Sequence, residues 1–212
     1  MNRGLFITFE GPDGSGKSTQ IKKLKIKLES RGFETVLTRE PGGTAISENI
    51  REIILDVKNS EMDSLTEALL YAAARSQHVN QVILPALKAS KTVICDRFMD
   101  SSIAYQGYGR KLGDQVRIIN EYAVRGISPD ITFLLLLEPS IGKGRIKREY
   151  DRLELEQNKF HEDVYQGYME LAKCNPKRII IIDATKSIIE IEKEIELHLE
   201  KLLLKKREIY DL

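Results

Sequence analysis

The sequence predicts an α/β fold built on a doubly wound parallel sheet, and three observations predict it. Short apolar, β-rich runs recur along the chain, several of them are continuous rather than alternating, and helical patterns lie between them. Continuous apolar runs mark strands buried on both faces. Strands that alternate with helices pair in parallel through right-handed crossovers.

Taken in order, the first strand is "LFITF" (5–9), followed by a helix whose Ile21, Leu24 and Leu28 share one face and whose end suits Gly32. The second strand, "ETVL" (34–37), leads to a helix with a stripe of Ile46, Ile50 and Ile53. Asp63 or Ser64 caps a long helix through Leu65 and Leu69, which Pro85 kinks or divides. The third strand is "TVIC" (92–95), and a helix from Asp114 through Val116 and Ile119 stops before Gly126. "ITFLLLL" (131–137) and "RIIIID" (178–183) are the last two strands. Ser187 with Glu190 forms a capping box that opens a final helix through Ile191, Ile195, Leu199 and Leu202, ending in the charged tail "KKREIYDL".

The 212 residues read most simply as one domain spanning 1–212, with no repeat, low-complexity tract or linker. With 42% hydrophobic and 31% charged residues and a formal charge of +1, the chain lacks the strongly basic field of a dedicated nucleic-acid binder. Cys95 and Cys174 are far apart and fit a reducing cytosol. There is no signal-peptide pattern, and the longest apolar run is too short to span a bilayer, so a cytoplasmic protein with no membrane segment is expected.

The first strand runs into "GPDGSGKST" (11–19), which matches G-x-x-x-x-G-K-[ST] in full, with a strand before it and an amphipathic helix after it. Gly11, Gly14 and Gly16 let the backbone of this loop, which also carries Pro12, Ser15 and Thr19, curl so that several N–H groups converge on one anion, and the helix adds its positive N-terminus. Lys17 reaches the β- and γ-phosphates of a nucleotide, and Ser18 offers a hydroxyl to Mg²⁺. The context makes this a P-loop NTP hydrolase-like domain. Asp13 reads equally well as a turn-former or as a carboxylate beside the γ-phosphate.

Four further segments carry chemistry-bearing residues. "LTREPGGT" (37–44) places Arg39, Glu40 and Pro41 at a strand's carboxyl end, where open α/β sheets bind ligands, although a plain turn also fits. Tyr71 and Arg75 share a helix face, suited to stacking on and hydrogen-bonding a flat base; core Tyr and surface Arg is the ordinary alternative. In "ICDRFMDSSIAYQG" (94–107), Asp96 at the end of the third strand suits Mg²⁺ or its water, and Arg97 is able to clamp phosphate; a surface Asp–Arg pair is the ordinary alternative. From 142 to 156, Lys143, Arg145, Lys147, Arg148 and Arg152 alternate with Glu149, Asp151 and Glu154, either as a solvated helix or as a mobile lid.

In order and spacing, "FEGPDGSGKST", "TREPGGT", "LLYAAARSQHV", "DRFMDSSIAYQG", "DRLE", "FHEDVYQGY" and "IDAT" together resemble the thymidylate kinase family along nearly the whole chain. The resemblance implies a three-layer α/β/α domain of the nucleoside-monophosphate-kinase type with a five-stranded parallel sheet. It implies Mg²⁺-dependent transfer from ATP to dTMP, and a homodimer. Residues 11–19 would hold ATP, Asp13 would contact the sugar 3′-hydroxyl, and Arg97, with Arg39 nearby, would hold the acceptor phosphate. Tyr71 would stack on thymine, Arg75 would bond its edge, and Ser102, Tyr105 and Gln106 would line the base and sugar, with Tyr105 crowding the 2′ position. Some members carry an arginine in the phosphate loop; here that position is Gly14, which resembles members whose lid supplies the catalytic arginines, here Arg145 and Arg148 with Arg152 supporting them. The runner-up activity is a kinase for another nucleotide. A GTPase-type switch is disfavoured because no guanine-reading N/T-K-x-D element is found.

Overall fold

The computed structural model describes residues 3–145 and 149–210. Five strands form one sheet in the order β2-β3-β1-β4-β5: β1 (Phe6–Glu10), β2 (Thr35–Arg39), β3 (Thr92–Asp96), β4 (Ile131–Leu136) and β5 (Ile179–Asp183). All pairings are parallel, as the continuous apolar runs require. The first strand reaches one residue beyond the apolar run, to Glu10, because that carboxylate is buried and hydrogen-bonded rather than turned to solvent.

Helices cover both faces. On one, α1 (Lys17–Ser30) and α9 (Ile188–Tyr210) bury Ile21, Leu24, Leu28, Ile191, Ile195 and Leu199 against Ile7, Phe9, Phe133 and Ile182 of the sheet. Leu28 is fully buried, so truncating it to alanine removes about 2–5 kcal/mol. Lys23–Glu192 and Lys27–Glu196 bridge the two helices at their rim. The capping box forms as expected, with Ser187 N–H donating to Glu190 Oε2 and Glu190 N–H to Ser187 Oγ. On the other face lie α3 (Ser64–His78), α4 (Leu84–Lys88), α5 (Met99–Ser102), α6 (Asp114–Val124) and α8 (Asn158–Cys174). They pack Val79, Ile83, Leu87 and Phe98, and further along Phe160, Val164 and Tyr168, over β1, β3 and β4.

Asp63 caps α3, accepting from Leu65 and Thr66 N–H. Pro85 divides the long helix: a π-helical stretch, Val79–Ile83, separates α3 from α4. A second π-helical stretch, Ile103–Gly109, follows α5. The helix α2 (Ala45–Leu55) corrects one expectation. Its isoleucine stripe does not face the core: Ile46 and Ile53 are 55% and 48% exposed, while Ser47 and Ile54 are buried. The inward register is set by Thr44, whose hydroxyl accepts from Ser47 N–H, and by Ser47, which donates to the Ala74 carbonyl. The expected lid, 142–156, begins within a short helix, α7 (Pro139–Arg145). Lys147 and Arg148 lie outside the described residues, as does the Lys143 side chain.

Candidate active site

The carboxyl ends of β1, β2 and β3 converge. Register places Phe9 and Arg39 each opposite Asp96, so the loops that follow these strands share one rim of the sheet. The glycine-rich loop leaves β1 with Gly11 at φ +128°, where a Cβ would lie 2.2 Å from the Leu135 carbonyl oxygen; only glycine fits. Gly14, at φ +77°, lies against the lid helix, 2.5 Å in the same sense from the Gly142 carbonyl. Lys17 opens α1 from a buried position, and its Nζ donates to the carbonyls of Gly11 (3.0 Å) and Pro12 (2.9 Å). Burial, then the nearby Arg97 charge, lowers its ammonium pKa.

Ser18 Oγ donates to Asp96 Oδ2 at 3.3 Å, so the two residues expected to serve Mg²⁺ are adjacent. This pair of hard oxygen donors, at the mouth of a phosphate loop, fits a magnesium ion that takes its other ligands from phosphates and water. Among the described residues there is no cluster of three or more His, Cys, Asp or Glu that would form an all-protein cage.

Two clefts open here. One is lined by Gly14, Gly16, Lys17, Ser18, Thr19, Arg39 and Asp96. The other encloses about 1050 Å³, open mouth included, and is lined by Pro41, Tyr71, Arg75, Ser102, Tyr105 and Gln106 among others. Asp13, Glu40, Arg51 and Arg97 line both, and so mark where the clefts meet. Arg97 sits at that junction with φ +70°, a left-handed backbone that is uncommon outside glycine. Its Nη2 donates to Asp13 Oδ1 (3.0 Å), and its guanidinium lies 5.3 Å from the centre of the Tyr105 ring. Burial alone would depress this group, but Asp13, followed by Tyr105 and Tyr168, holds its pKa well above the ordinary value.

Tyr71 and Arg75 both line the second cleft, as their spacing predicts. Arg75 is not a surface residue. It is 2% exposed, with Nε on Glu40 (2.6 Å), Nη1 on Ser102 (2.9 Å) and Asn120, and Nη2 on the Phe98 carbonyl (3.0 Å). Among the described residues these bonds use four of its five N–H protons, the fifth being on Nη2. Glu40 is thus an anchor: its other oxygen meets His78 Nδ1 at 2.9 Å, and His78 Nε2 meets Thr38 Oγ1 at 2.6 Å. Gln106 Nε2 donates to Glu67, leaving its Oε1 as a buried acceptor without a partner.

Two placements differ from the sequence reading. Arg39 lines the phosphate-loop cleft rather than the second one, is half exposed and pairs with Glu48. Arg152 does not reach toward the loop. It is buried, donating to the Ile54 carbonyl and to Glu67, and anchors the far end of the lid segment to α2 and α3. Arg145 does approach the loop, with Nη1 donating to the carbonyls of Gly14 (3.4 Å) and Ala184 (3.1 Å).

Sequence reasoning missed Arg51 and Glu10. Arg51 follows Ser47 by four residues and precedes Ile54 by three, so it shares their inward face; its Nη1 donates to the Pro41 carbonyl. Burial, then Arg39, lowers its pKa. The available signal was the polar face of α2, overlooked in favour of its isoleucines. Glu10 falls between the apolar run and the glycine-rich loop, and nothing in its neighbours along the chain reports that it is buried.

A phosphate loop opening into one cleft, an aromatic- and arginine-lined cleft beside it, and cations where they meet define a phosphoryl-transfer protein of the nucleoside-monophosphate-kinase class. A family model described as thymidylate kinase matches residues 9–195. The chain is 51% identical over 194 residues to a thymidylate kinase of Geobacillus sp. (strain WCH70), covering 89% of this chain and 92% of that one. It is 48% identical over 201 residues to one from Clostridium novyi (strain NT), covering 92% and 98%. The crystal structure of thymidylate kinase from Ehrlichia chaffeensis superposes with a TM-score of 0.76 at 36% identity, covering 93% of this chain and 99% of that one. The chain belongs to the thymidylate kinase family.

Proposed function

We propose that this protein transfers the γ-phosphoryl group of ATP to dTMP, giving ADP and dTDP, and that residues 1–212 act as one catalytic domain with its lid. The observation that carries the reading is the meeting of the two clefts at Asp13, Arg51 and Arg97. Residues 11–19 hold the ATP phosphates, with Lys17 exchanging its loop carbonyls for phosphate oxygens. Ser18 and Asp96 hold Mg²⁺, which when bound offsets the charge of the polyphosphate. Arg97 and Arg51 hold the acceptor phosphate. Tyr71 stacks on thymine, the remaining Arg75 Nη2 proton takes a base carbonyl, and Gln106 Oε1 takes the N3 proton. Ser102, Tyr105 and Asp13 face the sugar. Arg145 adds charge beside the loop as transfer proceeds.

No general base is needed, because the attacking phosphate oxygen is already ionised. The protein supplies alignment and the neutralisation of two anions brought together. The reading extends to a cytoplasmic homodimer: α3 packs between α2 and α6, and these helices expose Ile46, Ile53, Leu65, Leu69, Ile118 and Tyr122. No helix among the described residues is long and apolar enough to cross a membrane.

The test is acceptor-dependent ADP formation with Mg-ATP and, separately, dTMP, dUMP, dCMP, dGMP, AMP, CMP and GMP. Production of dTDP far faster than any other diphosphate is expected. A different preferred acceptor would overturn the roles given to Tyr71, Arg75 and Gln106, and turnover of none would overturn the activity.

A further inference from the structure

Glu10 is the last residue of β1, fully buried, and it precedes the glycine-rich loop without belonging to it. Its two oxygens face the segment that carries Arg97. Oε1 accepts from Phe98 N–H at 2.8 Å, while Arg97 N–H donates to the neighbouring Phe9 carbonyl at 2.8 Å. The left-handed residue is therefore held from both sides by the end of one strand. Oε2 accepts from Ser101 Oγ at 2.5 Å and from the Tyr168 hydroxyl at 3.2 Å.

Those same two hydroxyl oxygens lie 3.1 Å each from Arg97 Nη1, and 2.8 Å from one another. Once its own proton is lost, above about pH 7, Glu10 accepts only, so it draws the hydroxyl protons toward itself and leaves both oxygens as acceptors for the arginine. Nη1 has two protons, and both are taken. Nη2 meets Asp13 and, at 3.5 Å, the Tyr105 hydroxyl. Among the described residues, the hydrogen bonds of this guanidinium run through Nη1 and Nη2 and none through Nε. The Tyr105 contact, at 3.5 Å, is the loosest of these, so the edge an incoming phosphate can take is Nε with that second Nη2 proton, a side-on fork that suits two phosphate oxygens.

We propose that Glu10 is a positioning residue for the acceptor phosphate: through Ser101, Tyr168 and the Phe98 amide it selects which edge of Arg97 is offered. This rests on the reading of Arg97 as the acceptor-phosphate clamp. Glu10 itself touches neither substrate. A neutral amide in its place keeps the shape but sets an N–H₂ against the two hydroxyls. Their protons then turn toward Nη1, and donors face donors.

The experiment measures dissociation constants for dTMP and for a non-hydrolysable ATP analogue, by titration calorimetry, in the wild type and in Glu10→Gln, Arg97→Ala and the double variant. Expected is at least a tenfold weakening of dTMP binding in Glu10→Gln, with the ATP analogue changed less than twofold. In the Arg97→Ala background the Glu10→Gln change adds less than twofold, because Glu10 acts through Arg97. Equal weakening of both ligands, or effects that multiply in the double variant, would overturn the inference. Arg97→Ala alone leaving dTMP affinity unchanged would instead overturn the clamp on which it rests. Should Glu10→Gln fail to fold, Tyr168→Phe removes one of the two Nη1 acceptors. It is expected to weaken dTMP alone by about threefold, again only when Arg97 is present; an unchanged dTMP affinity would overturn the inference.

Discussion

Lys17 holds a positive charge in a buried loop where desolvation and Arg97 both work against it, and carbonyls of the loop are its partners. Such an arrangement is retained for chemistry rather than for stability. Lys17→Ala is expected to lower kcat by about three orders of magnitude while leaving the thermal transition within a few degrees; steady-state kinetics and a melt recorded on the same preparation check both. Glu10 makes a second residue-scale prediction. Its carboxyl is pushed up to about 7, first by burial and then by Asp100, against Ser101, Arg97 and the Phe98 amide. The charged and titratable groups around it are Asp100 with its partner Arg178, Arg97, Tyr168 and Lys17. A folded-state value above the unfolded one means that the native chain keeps a proton the unfolded chain has released. The stabilising contribution is therefore full below about pH 4.5 and is lost as the pH rises through about 7. Between pH 5 and 8, Tm of the wild type should fall more steeply than that of Glu10→Gln, in which this group no longer titrates.

At the scale of elements, the lid segment has two unlike ends. Near Arg145 it rests on the Gly14 carbonyl of the phosphate loop and on the Ala184 carbonyl just after β5. Beyond the stretch that is not described, Arg152 fixes it to Glu67, a fully buried carboxylate that Arg110 also partners. Arg152→Ala should cost about 3 kcal/mol, less than an isolated buried pair because Arg110 remains, and lower Tm by roughly 6–12 °C in a calorimetric scan. The strands were legible in the sequence because parallel pairing demands uninterrupted apolar runs, and α1 was legible because Ile21, Leu24 and Leu28 obey one period against one surface. The phosphate loop was legible because backbone geometry leaves few choices at Gly11. Legibility failed where a helix serves a polar interior. On α2 the inward face carries Ser47 and Arg51, so the usual rule of apolar side inward gives the opposite orientation. It failed for Arg152 as well, since a charge read along the sequence does not disclose a buried partner 85 residues away.

For the whole molecule, the outward isoleucines of α2 acquire a sense that the single chain does not provide. With Leu65 and Leu69 on α3 and Ile118 and Tyr122 on α6, they leave apolar area exposed on three neighbouring helices. If the proposed homodimer uses this face, Leu69→Glu is expected to convert it into a monomer at micromolar concentration, read by light scattering, with the far-ultraviolet circular dichroism unchanged. The strand order has a consequence of another kind. Because β1 lies between β3 and β4, the loop that follows β1 gains the Asp96 contact of its Ser18 and the Arg97 contact of its Asp13 from a strand more than 75 residues later. During synthesis, a growing chain that has exposed only its first 90 residues owns the anion-gripping turn but neither of these neighbours. The turn therefore gains its magnesium-side and acceptor-side neighbours only once the central crossover has closed.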